Sequence, residues 1–270
     1  MSLRTRRRAG AVVLAVGLAL PMLATAGPAQ AAPGRSRPAA APASDILGLL
    51  TGLVARLLPL PAPAVPGIDP GLASQVTAST VRVSGVACGE RLQGSGFSPA
   101  PDTIVTNAHV VAGTTRTEVL RPDGRTLPAT VTAFDPVRDL AVLTVAGLGQ
   151  PSLGLGPAVV GETAAIVGHP FGQAPVEVSP ARVVRRVTAD VGDIYDRPAT
   201  PRQILVLDAQ IDPGDSGAPV VSTAGQVVGV AFAVSNLRRG TAFAVASEEL
   251  GPVLARPRSG AVSTGPCLEL

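Results

Sequence analysis

From Thr80 to about residue 246 the apolar positions come in short runs rich in valine, isoleucine and threonine, cut at short intervals by glycine, proline and aspartate. This spacing, with no long helical period until the chain nears its C-terminal end, predicts an all-β sandwich or barrel. The first half holds candidate strands near 79–84, 94–98, 103–106, 117–120, 127–134 and 140–145. The second half holds them near 162–168, 175–178, 181–189, 203–210, 218–222, 226–234 and 241–246. Residues 146–161, rich in glycine and proline, join the two halves, and Ser247 to Leu254 reads as a short closing helix. The pattern thus divides the domain into two antiparallel β units.

Ahead of these strands the period is different. Residues 44–58 repeat their apolar positions at three and four, with Ser44 as N-cap, which predicts a short amphipathic helix ended by Pro59 and the prolines up to Pro70. It packs on the catalytic body or meets a membrane surface or partner. The preceding stretch 32–44, rich in alanine and proline, reads as a linker. Arg4, Arg6, Arg7 and Arg8 introduce an uncharged apolar segment, Ala9 to Ala26, followed by the small-residue site Ala29-Gln30-Ala31. That three-part layout is a secretory signal, with cleavage expected after Ala31. The alternative is a retained anchor, in which case that segment attaches the chain to the membrane. The domains are therefore 1–31 signal, 32–72 linker with its helix, and 73–270 catalytic domain, placed outside the cytoplasm as a secreted or envelope protein.

Charge changes the picture only by exclusion. The sequence pI of about 9.6 suggests a nucleic-acid binder. All 22 basic residues are arginine, however, and four of them stand in the first eight positions. Removing those four leaves 18 arginines against 19 acids from residue 32 onward, so the body has no general basic character with which to neutralise phosphates. Two histidines and two cysteines, widely scattered, give no metal-ligand spacing, and neither a metal nor another cofactor is expected. His169, in Gly168-His169-Pro170-Phe171-Gly172, reads as a turn residue. Two cysteines in an exported chain suggest one disulfide, Cys88 with Cys267.

The chemistry gathers around Gly214-Asp215-Ser216-Gly217-Ala218-Pro219, a hydroxyl held between glycines in a turn and followed by an apolar run. A serine hydroxyl is a weak nucleophile at neutral pH and needs a base within reach and a third group to orient that base. His109, in Thr106-Asn107-Ala108-His109-Val110-Val111-Ala112-Gly113, is the candidate base. Asp139, in Arg138-Asp139-Leu140-Ala141-Val142-Leu143, is the candidate orienting acid, with Asp135 as its nearest competitor. The backbone N–H groups of Gly214 and Ser216 are the candidate oxyanion donors. Val227 to Val234 should pair with an extended peptide. Gln210, Phe232, Ala233 and Val234 are the expected substrate-binding positions, and Ala242 and Ala244 suggest a modest, uncharged pocket.

These three segments, in the order His, Asp, Ser, resemble those of the trypsin-like serine proteases of bacterial type. Cys88-Gly89-Glu90-Arg91-Leu92-Gln93-Gly94-Ser95-Gly96-Phe97, the loop Gly192-Asp193-Ile194-Tyr195 and Gly265-Pro266-Cys267 narrow the resemblance to the extracytoplasmic protease domain of the actinobacterial MarP-like branch. It covers roughly residues 73–270. It implies a pair of six-stranded antiparallel β-barrels with the catalytic groups at their seam, peptide-bond hydrolysis on envelope or extracellular proteins, and a disulfide that responds to oxidation. Two departures stand out: the branch carries several transmembrane helices where this chain has room for one, and Ala218 replaces the usual second glycine of the nucleophile motif. The competing readings are a catalytically silent protease fold that binds peptides and a serine esterase.

Overall fold

The computed structural model describes residues 69–173, 176–198, 200–235, 238–255 and 259–268. The expected secretory signal, the amphipathic helix 44–58 and the linker up to residue 68 lie outside the described residues.

The first described element is a helix absent from the expectations above, α1 (Pro70–Ser79). Its start is an Asp-Pro pair: the Asp69 carboxylate accepts from the N–H groups of Gly71 and Leu72 at 2.9 and 3.1 Å, and Pro70 gives up a donor that the first turn could not have used. The helix ends where Thr80 turns to extended backbone and starts the first barrel.

That barrel comprises β1 (Thr80–Ala87), β2 (Glu90–Ala100), β3 (Thr103–Thr106), β4 (Arg116–Leu120), β5 (Thr126–Asp135) and β6 (Leu140–Thr144). Its strands close in the order β1-β2-β3-β6-β5-β4, with antiparallel pairing throughout. β2 runs longer than its expected span because β1 and β2 form a hairpin, pairing Ala87 with Glu90 across the two residues Cys88 and Gly89. Both have positive φ, 48° and 84°, the twist that tight hairpins require. Between β3 and β4 lies α2 (Ala108–Val111), a single helical turn.

The second barrel comprises β7 (Thr163–Gly168), β8 (Glu177–Val191), β9 (Thr200–Ala209), β10 (Pro219–Ser222), β11 (Val227–Val234) and β12 (Thr241–Ala246), closing as β10-β11-β12-β9-β8-β7. Where two strands were expected around Pro180, β8 is continuous. Pairing with β9 starts only at Ala181, so Pro180 pairs with Ala165 of β7 alone and its missing N–H leaves no ladder bond unmade. A 3₁₀ turn, Ser247–Glu249, and α3 (Leu250–Leu254) close the domain as expected.

Three buried clusters hold this together. One fills the first barrel with Val81, Val83, Ile104, Val119 and Leu143 among others. A second fills the other barrel with Ile166, Val183, Leu205, Leu207 and Val220. The third joins them: Phe97, Val105, Leu140 and Val142 from the first barrel pack with Val167, Val221, Val227, Val230 and Val245 from the second, and Val76 of α1 and Leu250 of α3 complete it. Fully burying side chains of this size stabilises by roughly 1.5–3 kcal/mol each, so the seam between barrels is as much a core as their interiors.

The chain then returns to the first barrel. Cys88 at the β1–β2 tip is bonded to Cys267, 179 residues away. The Gly113 N–H donates to Thr264 O at 3.0 Å, and Thr264 Oγ1 donates to Thr114 O at 3.1 Å, which pins the tail beside the end of α2. On the loop-entropy account, replacing both cysteines by serine should lower unfolding free energy by about 2–5 kcal/mol, read as a fall in denaturant midpoint together with a larger m-value, because the uncrosslinked unfolded chain exposes more surface.

Candidate active site

His109 sits in α2, buried against the first barrel, and Asp139 ends the turn that leads into β6. The Asp139 carboxylate holds the histidine twice. Its two oxygens lie 2.8 and 3.0 Å from His109 Nδ1, and Oδ1 also accepts from the His109 backbone N–H at 3.0 Å. With Nδ1–H donating to the carboxylate, the neutral ring carries its lone pair on Nε2. Asp139 itself has φ of 55°, a region that costs a non-glycine residue energy and is kept only where the surroundings enforce it.

Those surroundings come largely from residues that carry no recognisable motif of their own. Asn107 Nδ2 donates to Asp139 O at 2.7 Å. Arg138 bonds Asp135 at 3.0 Å and Glu249 at 2.9 Å, so the competitor acid Asp135 supports the turn and does not meet the histidine. Arg202, buried in β9, donates to Val137 O and to Gly192 O and lies 5.9 Å from the centre of the Phe232 ring. Burial pulls its guanidinium below the ordinary range, opposed by the carboxylates of Asp139, Glu249, Asp135 and Asp193. The Tyr195 hydroxyl lies within hydrogen-bond reach of the carbonyls of Thr264 and Pro266, at 3.2 and 3.1 Å, docking its loop on the disulfide-bonded tail.

Ser216 belongs to the turn before β10 and is half-buried. Gly214 and Gly217 on either side have φ of 105° and 87°. A Cβ at Gly214 would strike His169 O, and one at Gly217 would strike Ser95 O, so both positions exclude side chains twice over. Among the described residues neither the Gly214 N–H nor the Ser216 N–H has a hydrogen-bond partner. The first barrel reaches this turn through β2: the Ser95 N–H donates to Ser216 O at 2.7 Å, and Gly94 is wedged between Val110 of α2 and Ser216 O. No hydrogen bond joins His109 to Ser216 in this structure. Such bonds are often long without substrate.

Phe232, Ala233 and Val234 are half-buried, and Gln210 is exposed. Pairing of β11 with β10 ends at Val230, whereas its pairing with β12 continues to Val234, so residues 232–234 keep one backbone edge unpaired. Ala242 and Ala244 are buried in the second barrel's cluster with Ile211. His169 is a turn residue, as expected, but a buried one: its Nδ1 donates to Gln173 O at 2.7 Å, and burial lowers its basicity. Among the described residues no three His, Cys, Asp or Glu side chains gather to hold a metal.

Two closed barrels with a serine-bearing turn and a buried His-Asp pair facing the same seam define the chymotrypsin-fold class of serine peptidases. More particularly, this chain belongs to the trypsin-like peptidase family, whose domain model matches residues 94–230. It is 34% identical over 232 residues to the serine protease Rv3671c of Mycobacterium tuberculosis, covering 81% of this chain and 58% of that protein. It is 39% identical over 150 residues to a probable periplasmic serine endoprotease, DegP-like, of Chlamydia pneumoniae, covering 54% of this chain and 29% of that protein. The crystal structure of the Rv3671c protease in its active form superposes with a TM-score of 0.70 at 32% identity, over 79% of this chain and 99% of that one. The chain thus spans little more than half the length of the first of these relatives.

Asp215, beside the serine, finds its partner in its own turn: Oδ2 accepts from Asp212 N–H at 2.9 Å, and among the described residues no arginine pairs with it. Burial pushes its carboxyl up from 3.8 to about 6, the Asp212 N–H opposes, and the charges of Asp212 and Glu177 add to the rise. A carboxyl raised on folding contributes stability below its unfolded pKa and loses it as pH rises through about 6. The carboxylate is therefore a burden at neutral pH, of at most about 3 kcal/mol. Asp215→Asn should raise the melting temperature at pH 8 and leave it unchanged at pH 4, measured by thermal unfolding across that range.

Proposed function

We propose that this chain is an exported serine endopeptidase that cleaves peptide bonds by way of an acyl-enzyme. The observation that carries this reading is the His109–Asp139 pair, fixed at 2.8 and 3.0 Å, on the same seam as a serine turn whose Gly214 and Ser216 N–H groups have no partner among the described residues. Ser216 Oγ attacks the substrate carbonyl and gives its proton to His109 Nε2. Asp139 keeps the ring in the right tautomer and stabilises the imidazolium. The carbonyl oxygen becomes an oxyanion held by the two free N–H groups, each such donor being worth about 3 kcal/mol of barrier. Collapse breaks the C–N bond as His109 protonates the leaving amine. Water then repeats the sequence on the ester and frees Ser216.

Substrate enters as an added strand along the unpaired edge of residues 232–234, with Gln210 at the mouth and small uncharged residues behind it. Gln210, Phe232, Ala233 and Val234 bring no charge to favour arginine or lysine before the cleaved bond, so small or medium apolar residues are preferred there. The N-terminal layout of residues 1–31 and the Cys88–Cys267 bond both favour an oxidising, extracytoplasmic setting, and the relative named periplasmic agrees with it. Envelope or extracellular proteins are then the substrates within reach.

A fluorophosphonate probe should label Ser216 in the wild-type protein, and Ser216→Ala should lower kcat on a peptide library by roughly a million-fold. An unlabelled serine, or turnover near the wild-type rate in the alanine variant, would refute the nucleophile. Hydrolysis of esters without peptides would move the reading to an esterase.

A further inference from the structure

The hydroxyl of Ser95 lies at the junction of three elements. Ser95 belongs to β2 of the first barrel and is wholly buried. Its Oγ donates to Gly214 O at 2.8 Å and accepts from the His169 N–H at 2.9 Å. The directions are unambiguous, because a carbonyl can only accept and a backbone N–H can only donate. The same residue's N–H holds Ser216 O at 2.7 Å, and its own carbonyl is held by Thr106 Oγ1 at 2.7 Å. A serine of the first barrel therefore grips the second barrel's nucleophile turn at two points and, through His169, the 3₁₀ turn Pro170–Gly172 at a third.

The consequence lies in how the Gly214 N–H is aimed. That N–H belongs to the Pro213–Gly214 peptide, whose carbonyl points the opposite way across a planar trans bond. Pro213 O is captured by the N–H of Phe171, in the turn that starts at His169. The Gly214–Asp215 peptide on the other side is captured by Ser95 through Gly214 O. Glycine at φ of 105° has the freest backbone of any residue, and both peptides flanking it are pinned from outside the loop. One hydroxyl serves both pins, holding Gly214 O directly and anchoring the His169 turn that supplies Phe171.

We propose that Ser95 is a positioning residue for the oxyanion site. Its hydroxyl keeps the Gly214 N–H turned toward the reacting carbonyl without touching substrate itself. This rests on the reading of Ser216 as nucleophile and of the Gly214 and Ser216 N–H groups as oxyanion donors. A misaimed donor costs stabilisation of the transition state and leaves binding of the substrate strand alone, so the loss belongs in kcat and not in KM.

The test compares Ser95→Ala with Ser98→Ala, which removes another buried hydroxyl of β2, one that bonds only Ala100 O at 3.0 Å. With a peptide substrate below both melting temperatures, S95A should lower kcat by roughly 10- to 100-fold, short of the 100- to 1,000-fold typical for outright loss of an oxyanion donor, with KM within about twofold. Affinity for a peptide aldehyde, which forms a tetrahedral adduct, should fall by a similar factor. S98A should keep both constants. A folded S95A with wild-type kcat and aldehyde affinity overturns the proposal, as does an equal kcat loss in S98A. Should S95A fail to fold, Ser95→Cys, which fills the same space with a thiol that donates only weakly to Gly214 O, carries the test: a lower kcat at unchanged KM upholds the role, and a wild-type kcat overturns it. Fluorophosphonate labelling of wild-type Ser216 separates the two levels, since an unlabelled wild type refutes the nucleophile, whereas a labelled wild type with a fully active S95A refutes only the role of Ser95.

Discussion

The proposed site draws on both barrels, so everything depends on the apolar seam that locks one against the other. Phe97, Val105, Leu140 and Val142 bring β2, β3 and β6 to that seam, and the valines of β7, β10, β11 and β12 meet them. The same strands and their connections carry the site. β6 follows Asp139, β3 leads into the turn of His109, and β10 follows Ser216. Because interiors are close-packed and resist small displacements, a seam of buried valine, leucine and phenylalanine fixes the separation between the base side and the nucleophile side more firmly than exposed loops could.

Polar bonds across the seam refine what the apolar contacts fix coarsely. From the first barrel, Ser95 grips the nucleophile turn and Arg82 Nη1 donates to Gly172 O at 2.7 Å. From the second, Arg202 and Glu249 reach back to the Asp139 turn through Val137 O and Arg138. Each buried carbonyl met in this way would otherwise cost the free energy of an unmade hydrogen bond, which is why these partners are buried with it. The strained backbone of Asp139 and the free glycine at 214 are thus held by groups from outside their own loops.

The motifs for the base, the acid and the nucleophile could be read along the chain because each is local: a histidine in a threonine-asparagine-alanine turn, an aspartate ahead of an apolar strand, a serine between glycines. The short runs of valine, isoleucine and threonine between glycine, proline and aspartate turns likewise foretold two β units and most of their strands. Two local features were misread. Asp69-Pro70 is a helix start, yet α1 was absorbed into a proline-rich stretch, and Pro180 suggested a break that β8 does not make. Pro180 is tolerated because only one side of the strand is paired there, a fact about neighbours and not about sequence.

Ser95, Asn107 and Arg202 could not be assigned in this way. Ser95 Oγ meets Gly214 O across 119 residues, and Arg202 meets Val137 O across 65, so no spacing rule connects them. The linear chain decided which groups are chemically able to react and which segments form strands, since nucleophilicity, turn preference and runs of β-branched residues belong to neighbouring positions. Folding decided which of those groups face one another, because a hydrogen bond between barrels exists only after the apolar seam has brought distant backbones within 3 Å.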